Sequence, residues 1–184
     1  MEIEIIRSRR KTLCVEIRGS RVLLRAPQRA TRAEIQRFLA EKQPWIEKHL
    51  ACSLVREEEK KRMPPLTETE IRTLALQAKT LIPDRTAYFA RRLGVTFGRI
   101  TIRCQRTRWG SCSSKGNLNF NCLLMLAPRE VLDSVIVHEL CHRKHMNHSA
   151  AFYAEVLRVF PDYRKWNRWL KENGPLLLGR VNRT

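Results

Sequence analysis

Two histidines four residues apart, His138 and His142, fall inside a stretch whose pattern is helical. Pro128 opens the stretch, and Val131, Leu132, Val135 and Ile136 recur at helical period along one face. Residues i and i+4 of a helix share a face, so both imidazoles reach one ion, while Glu139 points sideways towards a water beside it. His138-Glu139-Leu140-Cys141-His142 therefore ties this chain to one helix with a buried face and a polar, metal-ready end. His148 follows six residues after His142, the spacing of the longer pattern H-E-x-x-H-x-x-G-x-x-H, with His145 at the glycine position. The chain must leave the helix there, and Asn147 is the residue suited to a left-handed turn.

Three neutral imidazoles make an open zinc site. On this reading His138, His142 and His148 hold Zn2+, and Glu139 takes a proton from a water whose pKa the ion lowers. His145 would reach the ion only if the helix continued, so it reads as a non-ligand. Tyr153 and Tyr163 come next in the chain, and each reads as a packing residue on an amphipathic helix.

Composition agrees with a single metal centre built from histidine. The six cysteines are scattered with no C-x-x-C pair, so a cysteine zinc site is excluded and reduced thiols are expected. No apolar run approaches the roughly 18 residues of a membrane-spanning helix, and no basic n-region with an apolar segment opens the chain. A cytoplasmic protein without membrane attachment is the expectation, and its oligomeric state is not legible. The formal charge of +18, from 36 Lys and Arg against 18 Asp and Glu, suits a polyanion partner or a generally basic surface. Weak, non-specific nucleic-acid binding is the form such a partnership would take, since the arginines form no block and no reading motif.

The patterning divides the chain. Residues 1–6 are strand-like, and residues 12–17 and 22–27 flank a Gly19-Ser20 turn as a hairpin. Thr31-Arg32-Ala33-Glu34 is a capping box that opens one helix, and Pro44 restarts a second. The charged run 57–62 followed by Met63-Pro64-Pro65 reads as a connection. An N-terminal strand-helix subdomain over 1–62 and a zincin-like domain over 68–184 are expected, in the α+β class. In the second, a capping box at Thr67 opens a long helix ending at Gly94, residues 96–103 and 117–125 read as strands, and residues 109–116 as a turn-rich link. The helix from Pro128 and two more helical segments, 151–160 and 163–170, complete the chain.

Several segments together carry a resemblance. Thr107-Arg108-Trp109-Gly110-Ser111-Cys112-Ser113, residues 117–128, Val135-Ile136-Val137 with the five-residue motif, then Asn147-His148-Ser149 and Phe152, resemble the YgjP-like metallopeptidase family. That family is itself similar to the SprT-type zinc proteases. Arg143 stands where an apolar residue is usual and Tyr153 where a tryptophan is. The resemblance implies a zinc metallopeptidase that hydrolyses peptide bonds, with His138, His142 and His148 as ligands and Glu139 as the catalytic residue. A protein or peptide is the implied substrate. Two other functions stay open: a metal-dependent UTP pyrophosphatase, which the same family has also been labelled, and a nucleic-acid-associated protease. Against the first, the chain has no glycine-rich phosphate cradle and no carboxylate-rich magnesium site. Trp109 reads as packing. The strand at 117–125 is the expected place for an extended peptide to add by backbone pairing, with Asn121 as the candidate substrate-binding residue facing the metal.

Overall fold

A computed structural model describes residues 3–181. The chain forms two compact units, Met1–Pro64 and Pro65–Thr184, and its class is α+β, with two three-stranded sheets and five α-helices among the described residues. The strand-like reading at Met1 and Glu2 lies outside the described residues. No helix among them is long and apolar enough to cross a membrane.

In the first unit, β1 (Ile3–Ser8), β2 (Cys14–Arg18) and β3 (Arg21–Pro27) pair in the order β1-β3-β2. The β2–β3 hairpin turns through Gly19, whose φ of 60° is the left-handed region where glycine carries no steric penalty. Helix α1 spans Arg32–Arg62 without a break, where the sequence predicts two helices meeting at Pro44. Proline removes one backbone donor, a loss of about 3 kcal/mol in a helix interior. Ile35 and Ile46, on either side of it, are both buried, and packing of both halves outweighs that loss. The charged run expected as a connection forms the last turns of α1, because Glu, Lys and Arg are good helix formers. The helix stops at Met63, which is extended (φ −89°, ψ 113°) as a residue preceding proline must be.

The second unit begins with α2 (Glu68–Leu93), opened by the Thr67–Glu70 capping box and closed at Gly94 with φ 66°. Strands β4 (Ile100–Arg103), β5 (Gly110–Cys112) and β6 (Leu118–Asn121) follow. Both expected strands are shorter than the sequence suggests, and a short strand, β5, lies inside the segment read as a link. After Asn121 the chain winds into a 3-10 helix, Cys122–Leu126, because the Asn121 side-chain oxygen Oδ1 accepts from the Leu123 N–H and caps it. The sheet order is β4-β6-β5, with β6 parallel to β4 and antiparallel to β5. This overturns the expectation that a peptide adds to the strand before the metal helix: β6 is central, and both its edges are taken. The free edge on the β5 side belongs to residues 110–112.

Three helices complete the unit: α3 (Arg129–Cys141), α4 (Ala150–Val159) and α5 (Tyr163–Gly179). Ten of the thirteen α3 residues are buried, so this helix is the centre of the core and not a surface helix with one apolar face. Its Asp133 carboxylate accepts a forked pair of bonds from Arg85 of α2, Nε at 2.8 Å and Nη2 at 2.7 Å. The Arg85 guanidinium lies over the Tyr88 and Phe89 rings at 4.9 and 5.0 Å, so its charge is shielded by aromatic faces as well as paired.

Removing one member of such a pair strands the other charge. Asp133→Ala should lower stability by about 3–5 kcal/mol, measured by urea unfolding. The double variant Arg85→Met with Asp133→Leu should lose less than the single one, because no uncompensated charge remains.

Candidate metal centre

The α3 helix delivers His138 on its last full turn, and His142 is its C-cap residue. Beyond it the chain tightens into three-residue turns, with Arg143 N–H donating to the Leu140 carbonyl and Lys144 N–H to that of Cys141. These turns need no left-handed residue. No non-glycine residue among those described has positive φ, so the left-handed turn expected at Asn147 does not occur. Residues 142–148 carry the chain back over the helix end, and Ser149 then caps α4 through the Phe152 N–H.

The side chains of His138, His142 and His148 converge there, one ring nitrogen from each lying within 4.8 Å of the others. His138 Nε2 and His148 Nε2 are 3.0 Å apart. Tetrahedral zinc with bonds of about 2.0–2.1 Å spaces its nitrogens by about 3.4 Å, so the His138–His148 pair is near the spacing that a shared ion needs. His142 Nδ1–H donates to the His145 carbonyl at 3.1 Å, which fixes the tautomer and leaves Nε2 with its lone pair. His145 thus takes part through its backbone and lies outside the cluster. His138 Nδ1 lies 2.8 Å from the Tyr163 hydroxyl, a group that can donate or accept, while its Nε2 faces His148. Burial, with the charges of His142 and His148 added, pushes the His138 pKa down to about 4; burial also lowers that of His142. Donors that stay unprotonated at neutral pH suit a cation.

Phe152 of α4 forms the floor of this cluster. It is fully buried, and its ring lies 5.0, 4.8 and 4.9 Å from those of His138, His142 and His148. Lys144 and Arg158 both pair with Glu155 of α4, which ties the turn between His142 and His148 to the helix beneath it. Those two cations pull the Glu155 pKa down to about 2.

Glu139 is buried at 6% exposure, and burial raises its pKa to about 7 against a lesser opposing pull from Arg108. No hydrogen bond to its carboxylate occurs among the described residues. It fits because Gly110 of β5 has no side chain: a Cβ there would lie 2.7 Å from Oε1 and 2.8 Å from Cγ. Beside it opens a cavity of about 170 Å³ lined by Trp109, Gly110, Val135, His138, Glu139, Tyr163, Asn167 and Leu170, with Ser134. Trp109 also packs on α5, its ring within 3.1 Å of where a Gly174 Cβ would stand.

Asn121, the substrate-binding candidate, is buried at 1% exposure and is not on this cavity wall. Its amide donates to the Gln105 and Arg108 carbonyls at 2.7 and 3.0 Å, and its oxygen caps the 3-10 helix. The side chain is spent on holding the 105–108 loop, which corrects its placement facing the metal. Tyr163, read as packing, is buried in the core and in addition contacts His138, and Tyr153 is partly exposed with its ring 6.3 Å from that of His148. Tyr163 lies 25 residues from His138, so no local spacing could have announced the contact. Gly110 sits inside the quoted Trp-Gly-Ser-Cys segment, but nothing in a sequence says that a glycine makes room for a particular carboxylate.

The YgjP-like metallopeptidase domain matches residues 53–173, and the chain belongs to that family. No curated protein matches. Among solved structures it is similar to the metallopeptidase zymogens abylysin of Pyrococcus abyssi and jannalysin of Methanocaldococcus jannaschii. Each shows 22% identity and a TM-score of 0.45, covering 50% of this chain and 94% or 95% of the other.

Glu155 is depressed below its ordinary pKa of 4.5 only in the folded chain, so its pairs stabilise above that pH, and the contribution fades as pH falls towards 2. Glu155→Gln should therefore cost about 1–3 kcal/mol at pH 7, with the gap from the parent narrowing below pH 4.5 in urea titrations. Tyr163→Phe should keep the fold and weaken divalent-metal affinity by about 10–100-fold, the usual effect of losing a partner behind a ligating imidazole. Competition with a chromophoric chelator measures it.

Proposed function

We propose that this chain is a zinc-dependent peptidase in which His138, His142 and His148 hold the ion and Glu139 is the general base. The observation that carries the reading is the convergence of three imidazoles beside a buried carboxylate that accepts no hydrogen bond among the described residues. Two other carboxylates of this unit meet cations, Asp133 with Arg85 and Glu155 with Lys144 and Arg158. Glu139 alone is kept poised near neutrality by burial, as a group that must both take and release a proton should be.

A zinc ion bound there supplies a Lewis acid for the scissile carbonyl and an acidified water. Glu139 removes the proton from the attacking water and passes it to the departing amine. Gly110 keeps the carboxylate close to the sheet edge, so a substrate strand lying along residues 110–112 brings its peptide bond to Glu139. Extended peptides bind in this way by exchanging backbone hydrogen bonds with an unpaired strand.

All six cysteines are unpaired, which supports a reducing, cytoplasmic setting for this activity. A polyanion or nucleotide partner has the net charge of +18 in its favour.

Zinc-loaded protein should digest casein, and chelation should abolish the activity. Glu139→Gln should retain one zinc per chain while hydrolysis falls at least about a hundredfold; His148→Ala should lose zinc. Near-normal turnover in the Gln variant, or turnover of UTP but not of casein, would sink the peptidase reading.

A further inference from the structure

On α5 the residues Tyr163, Asn167, Leu170 and Gly174 recur at helical spacing and form one inward stripe. Three of them are buried and engaged: Tyr163 on His138, Gly174 under the Trp109 ring, and Leu170 in the core. Asn167 is the exception. It is half-buried, lines the cavity beside Glu139, and makes no hydrogen bond among the described residues. The two hydroxyls on that wall are occupied, Ser134 Oγ donating to the Val131 carbonyl at 2.7 Å and Tyr163 facing His138. The Asn167 carboxamide is therefore not committed to the protein and is available to a molecule that enters the cavity.

We propose that this cavity is a substrate subsite in which Asn167 holds one backbone peptide unit while Val135, Leu170 and Trp109 receive an apolar side chain. The inference rests on the peptidase reading above and deepens it. A carboxamide offers a donor and an acceptor on one rigid plane, which matches the C=O and N–H of an extended peptide. Neither a phosphate nor a carboxylate would use both. The cavity volume of about 170 Å³ compares with the roughly 150 Å³ apolar cavities that hold a benzene-sized group. The side chain received is therefore aliphatic or phenyl, of the leucine or phenylalanine class. A charged side chain would meet Val135, Leu170 and the Trp109 ring with no partner and pay its desolvation in full. Asn167 thus takes the substrate-binding role expected of Asn121 on the strand before α3, from a helix 46 residues further along the chain.

The test is calorimetric titration of the full-length, zinc-loaded protein with three probes that share one metal-binding group: acetohydroxamate, N-acetyl-leucine hydroxamate and N-acetyl-aspartate hydroxamate. The leucine probe should bind at least about tenfold tighter than the other two, as expected for one added hydrogen bond with apolar burial. Asn167→Leu should erase most of that gain while leaving acetohydroxamate affinity unchanged, which also reports that the fold and metal are intact. Leu170→Phe, which fills the cavity, should remove the preference for leucine over aspartate. Full retention of the gain in Asn167→Leu overturns the role of Asn167. Equal binding of the leucine and aspartate probes by the parent protein overturns the apolar subsite. Failure of acetohydroxamate itself to bind sinks the metal-site reading, and this inference with it.

Discussion

The site depends on the burial of α3. A helix with ten of thirteen residues buried has little freedom to shift or rotate, so the direction of His138 and Glu139 is set by core packing. Burial also decides what acidic groups on that helix become. Asp133 meets the Arg85 guanidinium and is a structural charge, held with two short bonds. Glu139, six residues on, meets no cation at bonding distance and is raised to about 7. One helix in one low-dielectric core thus carries two carboxylates with opposite electrostatic fates, and the difference is whether a neighbouring helix supplies a partner.

Around that helix, close approaches at glycine bring the remaining parts together. Gly110 admits the Glu139 carboxylate to the edge of the sheet, Gly174 lets the Trp109 ring lie on α5, and Gly116 accommodates the Arg143 guanidinium, 2.8 Å from where its Cβ would stand. Arg143 uses that space to donate to the Thr96 and Ser114 carbonyls. An arginine at a position where an apolar residue is usual therefore has a structural use: it fastens the end of α3 to two loops. Phe152 completes the arrangement by contacting all three histidine rings, which restricts their rotamers at no cost in buried polarity.

The elements legible in the sequence were those governed by local rules. Both capping boxes, the hairpin turn at Gly19 and the stop at Gly94 formed as read, because each is decided within a few residues by backbone conformation and hydrogen-bond supply. Readings failed where packing at a distance competed with a local signal. Pro44 marks a helix start by propensity, yet burial of Ile35 and Ile46 carried α1 through it. The run expected as strand after residue 117 became four strand residues and a 3-10 helix, since its apolar residues are buried on all sides and alternate with nothing. Asn147 suits a left-handed turn, but the chain leaves α3 through tightened turns that ordinary residues can make.

The sequence by itself determined the chemistry of the candidate centre, because helical periodicity alone places His138 and His142 on one face with Glu139 beside them, and six further residues suffice to return His148. It also determined the family, through motifs that survive as short strings. What only the tertiary structure decided was everything contributed from far along the chain: Tyr163 behind His138, Phe152 beneath the rings, Gly110 against the carboxylate, and Asn167 instead of Asn121 on the cavity wall. Those residues are brought together by packing of α3, α4, α5 and the β5 edge, and the sequence separation between packed surfaces carries no periodic signal from which such contacts could be read.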